Sequence, residues 1–227
     1  MQFLSKTLFA SAIIFSGVHI ANAGVVIGGT RVIYDGNKKE ASLGVNNPDN
    51  VPYLIQSWIE TQNGVTEKNP FIITPPLYRL DQGQKNVERI ILTAPLPQEK
   101  ESLYWLNIKA IPSTPKETGA NTLQIAVKTR IKLIYRPSSL KDSSPEEQAD
   151  KLTWRSTGNL LQVMNPTPYV MNFNEIMIGG KKVEDVTFVL PGSTASFPLP
   201  KGITRGDVTF KVINDYGGPG ELHRNTI

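Results

Sequence analysis

Leu123-Gln-Ile-Ala-Val-Lys-Thr-Arg-Ile-Lys-Leu-Ile-Tyr135, followed by Arg136 and Pro137, is the stretch whose reading decides the fold. Its odd positions are Leu123, Ile125, Val127, Thr129, Ile131, Leu133 and Tyr135; its even positions are Gln124, Ala126, Lys128, Arg130, Lys132, Ile134 and Arg136. Successive side chains of a strand point to opposite faces, so this reads as one strand with an apolar face and a largely cationic one. It is the longest clean alternation in the chain, well beyond the usual strand of about 5–6 residues. Pro137 removes a backbone donor and ends it. On pattern alone such a strand packs its apolar face on a core. At a sheet edge, a strand this long and apolar also invites a second chain to pair with it.

Working outward, turn residues punctuate the chain at short intervals. Upstream, Val25-Val-Ile27 is interrupted by a kink at Gly28-Gly29 and resumes as Thr30-Arg31-Val32-Ile33-Tyr34, with Arg31 inside an apolar run and a turn at Asp35-Gly36. Residues 41–46 alternate weakly before the turn Asn47-Pro48-Asp49-Asn50, and strands are read at 53–59, 71–73, 77–80, 87–92 and 102–111. About seven strands in roughly 115 residues, with turn signals between them, match an immunoglobulin-like sandwich. Downstream, residues 141–150 are polar and read as the segment between two domains; 145–151 is the best helical candidate in the chain. Strands follow at 152–154, 160–164, 169–173 and 176–178, then a hairpin turn at Gly179-Gly180, then strands at 181–183, 187–190, 195–197 and 208–213 and a turn over 214–218. The expected fold is all-β: an immunoglobulin-like sandwich over 24–141, a linker at 142–150, and a second, smaller all-β domain over 151–227.

Residues 1–23 are read as a secretory leader. Lys6 supplies a positive start, 8–18 a short apolar run, and Ala21-Asn22-Ala23 a cleavage signal before Gly24. The run is too short to anchor in a bilayer, and no later stretch approaches a membrane span. Losing Lys6 from the 24 basic residues leaves 23 against 20 acidic ones, a net +3. That is too mild and too scattered for a nucleic-acid footprint. The chain has no cysteine, so an exported protein of this sequence takes its stability from burial rather than from disulfides.

The chemistry of catalysis is sparse. Beyond the leader the single histidine is His223, in what reads as a frayed tail, and there is no thiol. The usual zinc sites and a Ser-His-Asp triad lack their residues, and the glycine pairs lack the spacing of a phosphate loop. Carboxylates are plentiful, so a paired-carboxylate glycosidase is not removed by counting, but nothing marks such a pair. A binding protein is the better reading, with no metal and no cofactor.

Leu96-Pro-Gln-Glu-Lys-Glu-Ser-Leu-Tyr-Trp-Leu-Asn-Ile-Lys-Ala-Ile-Pro112 resembles the signature of the periplasmic chaperones of the chaperone–usher pathway. Glu99 stands where that family usually has Asp, Asn or Ser. Thr30-Arg31, Pro52-Tyr53 with Trp58-Ile-Glu60, Thr74-Pro-Pro with Arg79-Leu80, Ile131 to Pro137, Asn165-Pro-Thr-Pro-Tyr169 and Ile213-Asn-Asp-Tyr-Gly-Gly218 fall in family order, so the resemblance covers the whole chain after the leader.

The resemblance implies two immunoglobulin-like domains set as a boomerang. It implies a partner, a pilus subunit lacking its last strand, to which the chaperone lends its own strand through Leu123, Ile125 and Val127, before delivery to an outer-membrane usher. Arg31 and Lys132 match the family's cleft cations, which anchor the subunit's C-terminal carboxylate. Glu101, Arg136 and Asp215 match a charge network joining the domains. The short loop at 113–120 and the lack of cysteine are similar to the short-loop branch. A free chain of this kind has two states open to it, a monomer or a dimer whose copies cap each other's strand. The competing readings are an exported immunoglobulin-like adhesin or matrix subunit, and a carbohydrate-active enzyme.

Overall fold

The computed structural model describes residues 24–66, 69–113 and 123–227. The leader read over 1–23 and most of the loop read over 113–120 lie outside them. Among the described residues there is no α-helix, and the chain forms two β-sandwiches.

Among the described residues the first sandwich has nine strands: β1 Val26–Ile27, β2 Arg31–Asp35, β3 Glu40–Asn46, β4 Tyr53–Glu60, β5 Phe71–Thr74, β6 Leu77–Leu80, β7 Lys85–Leu92, β8 Ser102–Pro112 and β9 Val127–Arg136. One sheet runs β1-β3-β7-β5 and the other β2-β9-β8-β4-β6. Their inner faces meet through Tyr34, Ile55, Ile90, Leu106 and Leu133, all buried. Each such side chain contributes about 1.5–3 kcal/mol by leaving water. The kink at Gly28-Gly29 is where the chain leaves one sheet for the other: β1 pairs with β3, whereas β2 pairs with β9. Gly28 donates its N–H to the Gly44 carbonyl at 2.8 Å, and a Cβ on Gly28 would stand 3.1 Å from that oxygen. A side chain here would press on the β3 backbone, so glycine suits the crossing.

The second sandwich comprises β10 Thr153–Thr157, β11 Leu160–Met164, β12 Met171–Ile178, β13 Lys181–Lys182, β14 Phe188–Val189, β15 Thr194–Pro198, β16 Asp207–Ile213 and β17 Pro219–Thr226. Its sheets are β10-β11-β15 and β13-β12-β16-β17, with β14 beside β12. An aromatic cluster fills it. Trp154 and Phe210 have ring centroids 5.0 Å apart, and Phe173 meets Phe197 edge-on at 6.0 Å.

Four sequence expectations change. Residues 123–126 form no ladder, so the opening stretch becomes a strand only at Val127. The stretches 169–173 and 176–178 join as one strand, β12, with a register shift between Phe173 and Glu175. The candidate helix at 145–151 is a 3-10 turn at Ala149–Lys151, because it buries only Pro145 and Ala149, too little for an amphipathic face. The tail around His223 is a strand, β17, paired along β16; the His223 ring stacks on Phe210 at 5.2 Å and its Nδ1 lies 2.6 Å from Asp150.

A buried asparagine before a proline closes a loop in each sandwich. Asn47 donates to the carbonyls of Val51 at 2.8 Å and Asp81 at 3.1 Å, and its side-chain oxygen accepts from the Asp49 N–H. Asn165 donates to Tyr169 at 2.7 Å and Leu190 at 3.1 Å, and accepts from the Thr167 N–H. Asn165→Ala leaves the buried Tyr169 carbonyl, the half-buried Leu190 carbonyl and the Thr167 N–H without these partners. We expect it to lower stability by about 2–3 kcal/mol, read as a fall in the urea midpoint at unchanged slope.

Candidate functional site

β9 is covered unequally on its two edges. β8 pairs with it from Val127 to Tyr135, but β2 pairs with it, in parallel, only from Lys132 to Arg136. The edge from Val127 to Ile131 is left open because β1 has crossed to the other sheet. The single alternating row of the sequence therefore splits. Ile131, Leu133 and Tyr135 are buried, whereas Leu123 is 86% exposed, Ile125 63% and Val127 57%. Beneath the open edge is a cavity of about 260 Å³ between the sheets, lined by Val25, Ile27, Ile108, Ala110, Ile125 and Val127 among others.

Where the open edge meets β2, Arg31 and Lys132 stand at one register position. Burial lowers the Arg31 pKa, and the nearby charge of Asp215 works against that. Burial, reinforced by the like charge of Arg31, pulls the Lys132 ammonium down to about 8. The Arg31 Nε is buried with no hydrogen-bond partner. Other cations on this face are matched. Lys128 and Arg130 lie 3.9 and 3.4 Å from the Glu60 carboxylate and over the rings of Trp58 and Trp105. The Trp58 N–H donates to Glu60 at 2.7 Å and, with these cations, holds its carboxyl below the ordinary range against the opposing effect of burial. Neither Arg31 nor Lys132 joins an ion pair among the described residues. Two adjacent, half-buried cations that join no ion pair among the described residues can accept an anionic group, and the Arg31 fork would suit a carboxylate.

A second constellation fixes the two domains to each other. Arg136 donates through Nε to Glu101 at 2.6 Å and through both terminal nitrogens to Asp215 at 2.6 and 2.8 Å. The other Glu101 oxygen accepts the Val170 N–H at 2.7 Å. Burial works to lower the Arg136 pKa, but the hydrogen bonds and charges of Asp215 and Glu101 outweigh it and hold it above the ordinary arginine range. For Glu101 burial pushes the carboxyl up, opposed by Arg136 and the Val170 N–H. Beside this network Leu103, Ile134 and Val170 form a small buried cluster. Ile134, the one large apolar residue among the cations of the even row, faces the other domain for this reason. The Asn214–Gly218 turn docks opposite Thr30; a Cβ on Gly217 would stand 2.3 Å from the Thr30 hydroxyl.

The structure thus brings Arg31 to Lys132 and bonds Glu101, Arg136 and Asp215 together, while Leu123, Ile125 and Val127 stand exposed beside them. Sequence reasoning gave no site role to Glu60, Trp58, Trp105 or Phe188, although the first three lie in stretches that carry the family resemblance. The first three flank the cationic row only once β4 and β8 are aligned with β9. Phe188 comes from the other domain and carries no local signal. Among the described residues no group of three or more His, Cys, Asp or Glu could hold a metal ion, and no helix is long and apolar enough to cross a membrane.

Comparison with known proteins matches both halves of the chain. Residues 24–141 match the family described as pili and flagellar-assembly chaperone, PapD N-terminal domain, and 147–223 match the pili assembly chaperone PapD, C-terminal domain. The chaperone protein LpfB of Salmonella typhimurium is 45% identical over 204 residues, covering 88% of this chain and 87% of that one. The chaperone protein FimC of Escherichia coli K12 is 41% identical over 224 residues, covering 95% and 91%. Among solved structures, a chain of the Salmonella enterica complex between the SafA pilin and the SafB chaperone superposes with a TM-score of 0.84 at 34% identity, covering 92% of this chain and 99% of that one. The periplasmic chaperone SfaE gives 0.75 at 40% identity, covering 90% and 100%. Two matched domains, and identities above 40% over nearly the whole length, place this chain in the family of pilus-assembly chaperones of the chaperone–usher pathway.

Proposed function

We propose that this chain works in the periplasm as a binding protein, not an enzyme, and holds a pilus subunit by lending it the open edge of β9 until an outer-membrane usher receives it. The observation that carries this reading is the half-paired strand: an exposed apolar row at Leu123, Ile125 and Val127 that runs directly into the Arg31–Lys132 pair. The anchor also sets direction. A subunit whose last residue is held at Lys132, and whose preceding residues run back toward Leu123, lies parallel to β9, in line with β2. Main-chain hydrogen bonds along the edge supply affinity, and the three aliphatic side chains fill the subunit's groove. Register matters, because a slip of one residue would present the cationic face instead. An adhesin or matrix subunit is not favoured by relatives that are named as chaperones.

The test is co-purification from periplasm. Tagged wild type is expected to carry a small pilin-like polypeptide. Val127→Ser removes one aliphatic contact worth about 1.5–3 kcal/mol and is expected to weaken retention by one to two orders of magnitude. Val127 is exposed in the free chain, so melting should not change. Equal retention by both proteins would place the contact elsewhere.

A further inference from the structure

Lys132 has a neighbour from the other domain that the strand-lending reading does not use. Its Nζ lies 4.9 Å from the centroid of the Phe188 ring and 5.8 Å from that of Trp105, and the two rings meet edge-on at 6.2 Å. Trp105 belongs to β8 of the first domain, at the register position of Lys132. Phe188 belongs to β14 of the second domain and packs on the interface cluster of Leu103, Ile134 and Val170. Left to itself, a lysine beside an arginine would swing its ammonium into water, since four rotatable bonds allow it and like charge favours it. The two ring faces attract the ammonium and occupy the space it would swing through.

We infer that Phe188 is a positioning residue of the anion site: with Trp105 it brackets the Lys132 ammonium beside Arg31, so that the site on the first domain is complete only while the second domain is docked against it. The inference rests on the carboxylate-anchor reading for its purpose, but the bracket itself is geometric. The charged groups around Lys132 are Arg31 on β2, Arg130 along β9 and Glu60 on β4, with Asp215 of the second domain acting on Arg31. Glu60 is engaged by Trp58, Lys128 and Arg130, which leaves the rings to hold Lys132.

The experiment is an NMR titration of the Lys132 side chain in the full-length protein, its signal identified by its absence in Lys132→Arg, with acetate as the carboxylate probe. In wild type the Lys132 Hε protons should show a ring-current shift and the side chain should titrate near 8. Phe188→Ala admits water and removes the ring. The ring-current shift should shrink, the midpoint should rise by about one pH unit, and acetate binding at neutral pH should weaken about fivefold. Phe188→Leu keeps water out but removes the ring face, so its midpoint should stay low or fall further. Phe188→Tyr keeps a ring and should behave as wild type. An unchanged midpoint and ring-current shift in Phe188→Ala overturns the inference, as does Phe188→Tyr behaving like Phe188→Ala. If acetate leaves wild-type Lys132 unperturbed, the carboxylate reading fails separately, while midpoint and ring-current shift still decide the role of Phe188.

Discussion

A pilus subunit that co-purifies with wild type is expected to be lost from both Arg31→Ala and Lys132→Ala. Truncating one partner of a desolvated, hydrogen-bonded charge pair costs about 2–5 kcal/mol, roughly 30- to several thousand-fold in affinity. On the proposed reading the loss should exceed that of any single donor-edge substitution, because an anchor at Arg31 and Lys132 would also set the register on which every apolar contact depends. The two cations should differ in their response to pH. Lys132 loses its proton near 8, so subunit affinity should fall as pH rises through that value. Lys132→Arg stays charged and should abolish this alkaline fall, whatever its absolute affinity. For the chain without ligand the sign reverses. The unfolded chain keeps the Lys132 proton to about 10.4, the folded chain releases it near 8, and the unfolded state therefore binds more protons between the two. Lys132 thus makes stability rise with pH across that window. Retention of the subunit by both alanine variants would show that the carboxylate is held elsewhere.

The other large effect is expected at Arg136. Its side chain is 11% exposed and that of Glu101 is fully buried. Arg136→Ala leaves the Glu101 carboxylate with the Val170 N–H as its remaining partner in this network and no countercharge. Breaking a buried pair in this way costs about 3–5 kcal/mol. Asp215 is more open to water and tolerates the loss better. Because Glu101 and Arg136 belong to the first domain and Val170 and Asp215 to the second, the damage should fall on the junction. The urea transition should move to lower concentration and split, as the sandwiches unfold independently. Glu101→Leu with Arg136→Leu removes the stranded charge together with its partner and should recover much of the stability, since the two sites are directly coupled. A single unfolding transition within about 1 kcal/mol of wild type in Arg136→Ala would show that the network does not hold the domains together.

Much of the fold was legible because strand periodicity is local. The alternation from Ile131 to Tyr135 correctly marked the buried face of β9, and Gly179-Gly180 marked a hairpin in which both glycines take positive φ, 55° and 76°. β17 was missed because Glu221-Leu-His-Arg224 has no apolar alternation; its inner face is supplied by the His223 ring lying on Phe210. The candidate helix failed for the opposite reason: a helix-compatible run had almost nothing to bury. Of the site, Arg31, Lys132, Glu101, Arg136 and Asp215 were reached through the family resemblance, since a cation on a strand reads by itself as a solvated surface residue. The matched cations at Lys128 and Arg130 could not be told from the unmatched one at Lys132, because the difference is Glu60, roughly seventy residues away in the chain.

By itself, then, the sequence determined the all-β class, the strand that carries two unlike faces, and the scarcity of catalytic side chains. These follow from residue types and a period of two. Only the tertiary structure decided that half of that strand lies open while the other half is buried. The choice depends on β1 crossing to the opposite sheet at Gly28, a hundred residues earlier in the chain. Only the tertiary structure, too, set Lys132 between Trp105 and Phe188. Edge coverage, desolvation and charge matching are properties of neighbours, and those neighbours come from strands and from a second domain that no local pattern connects.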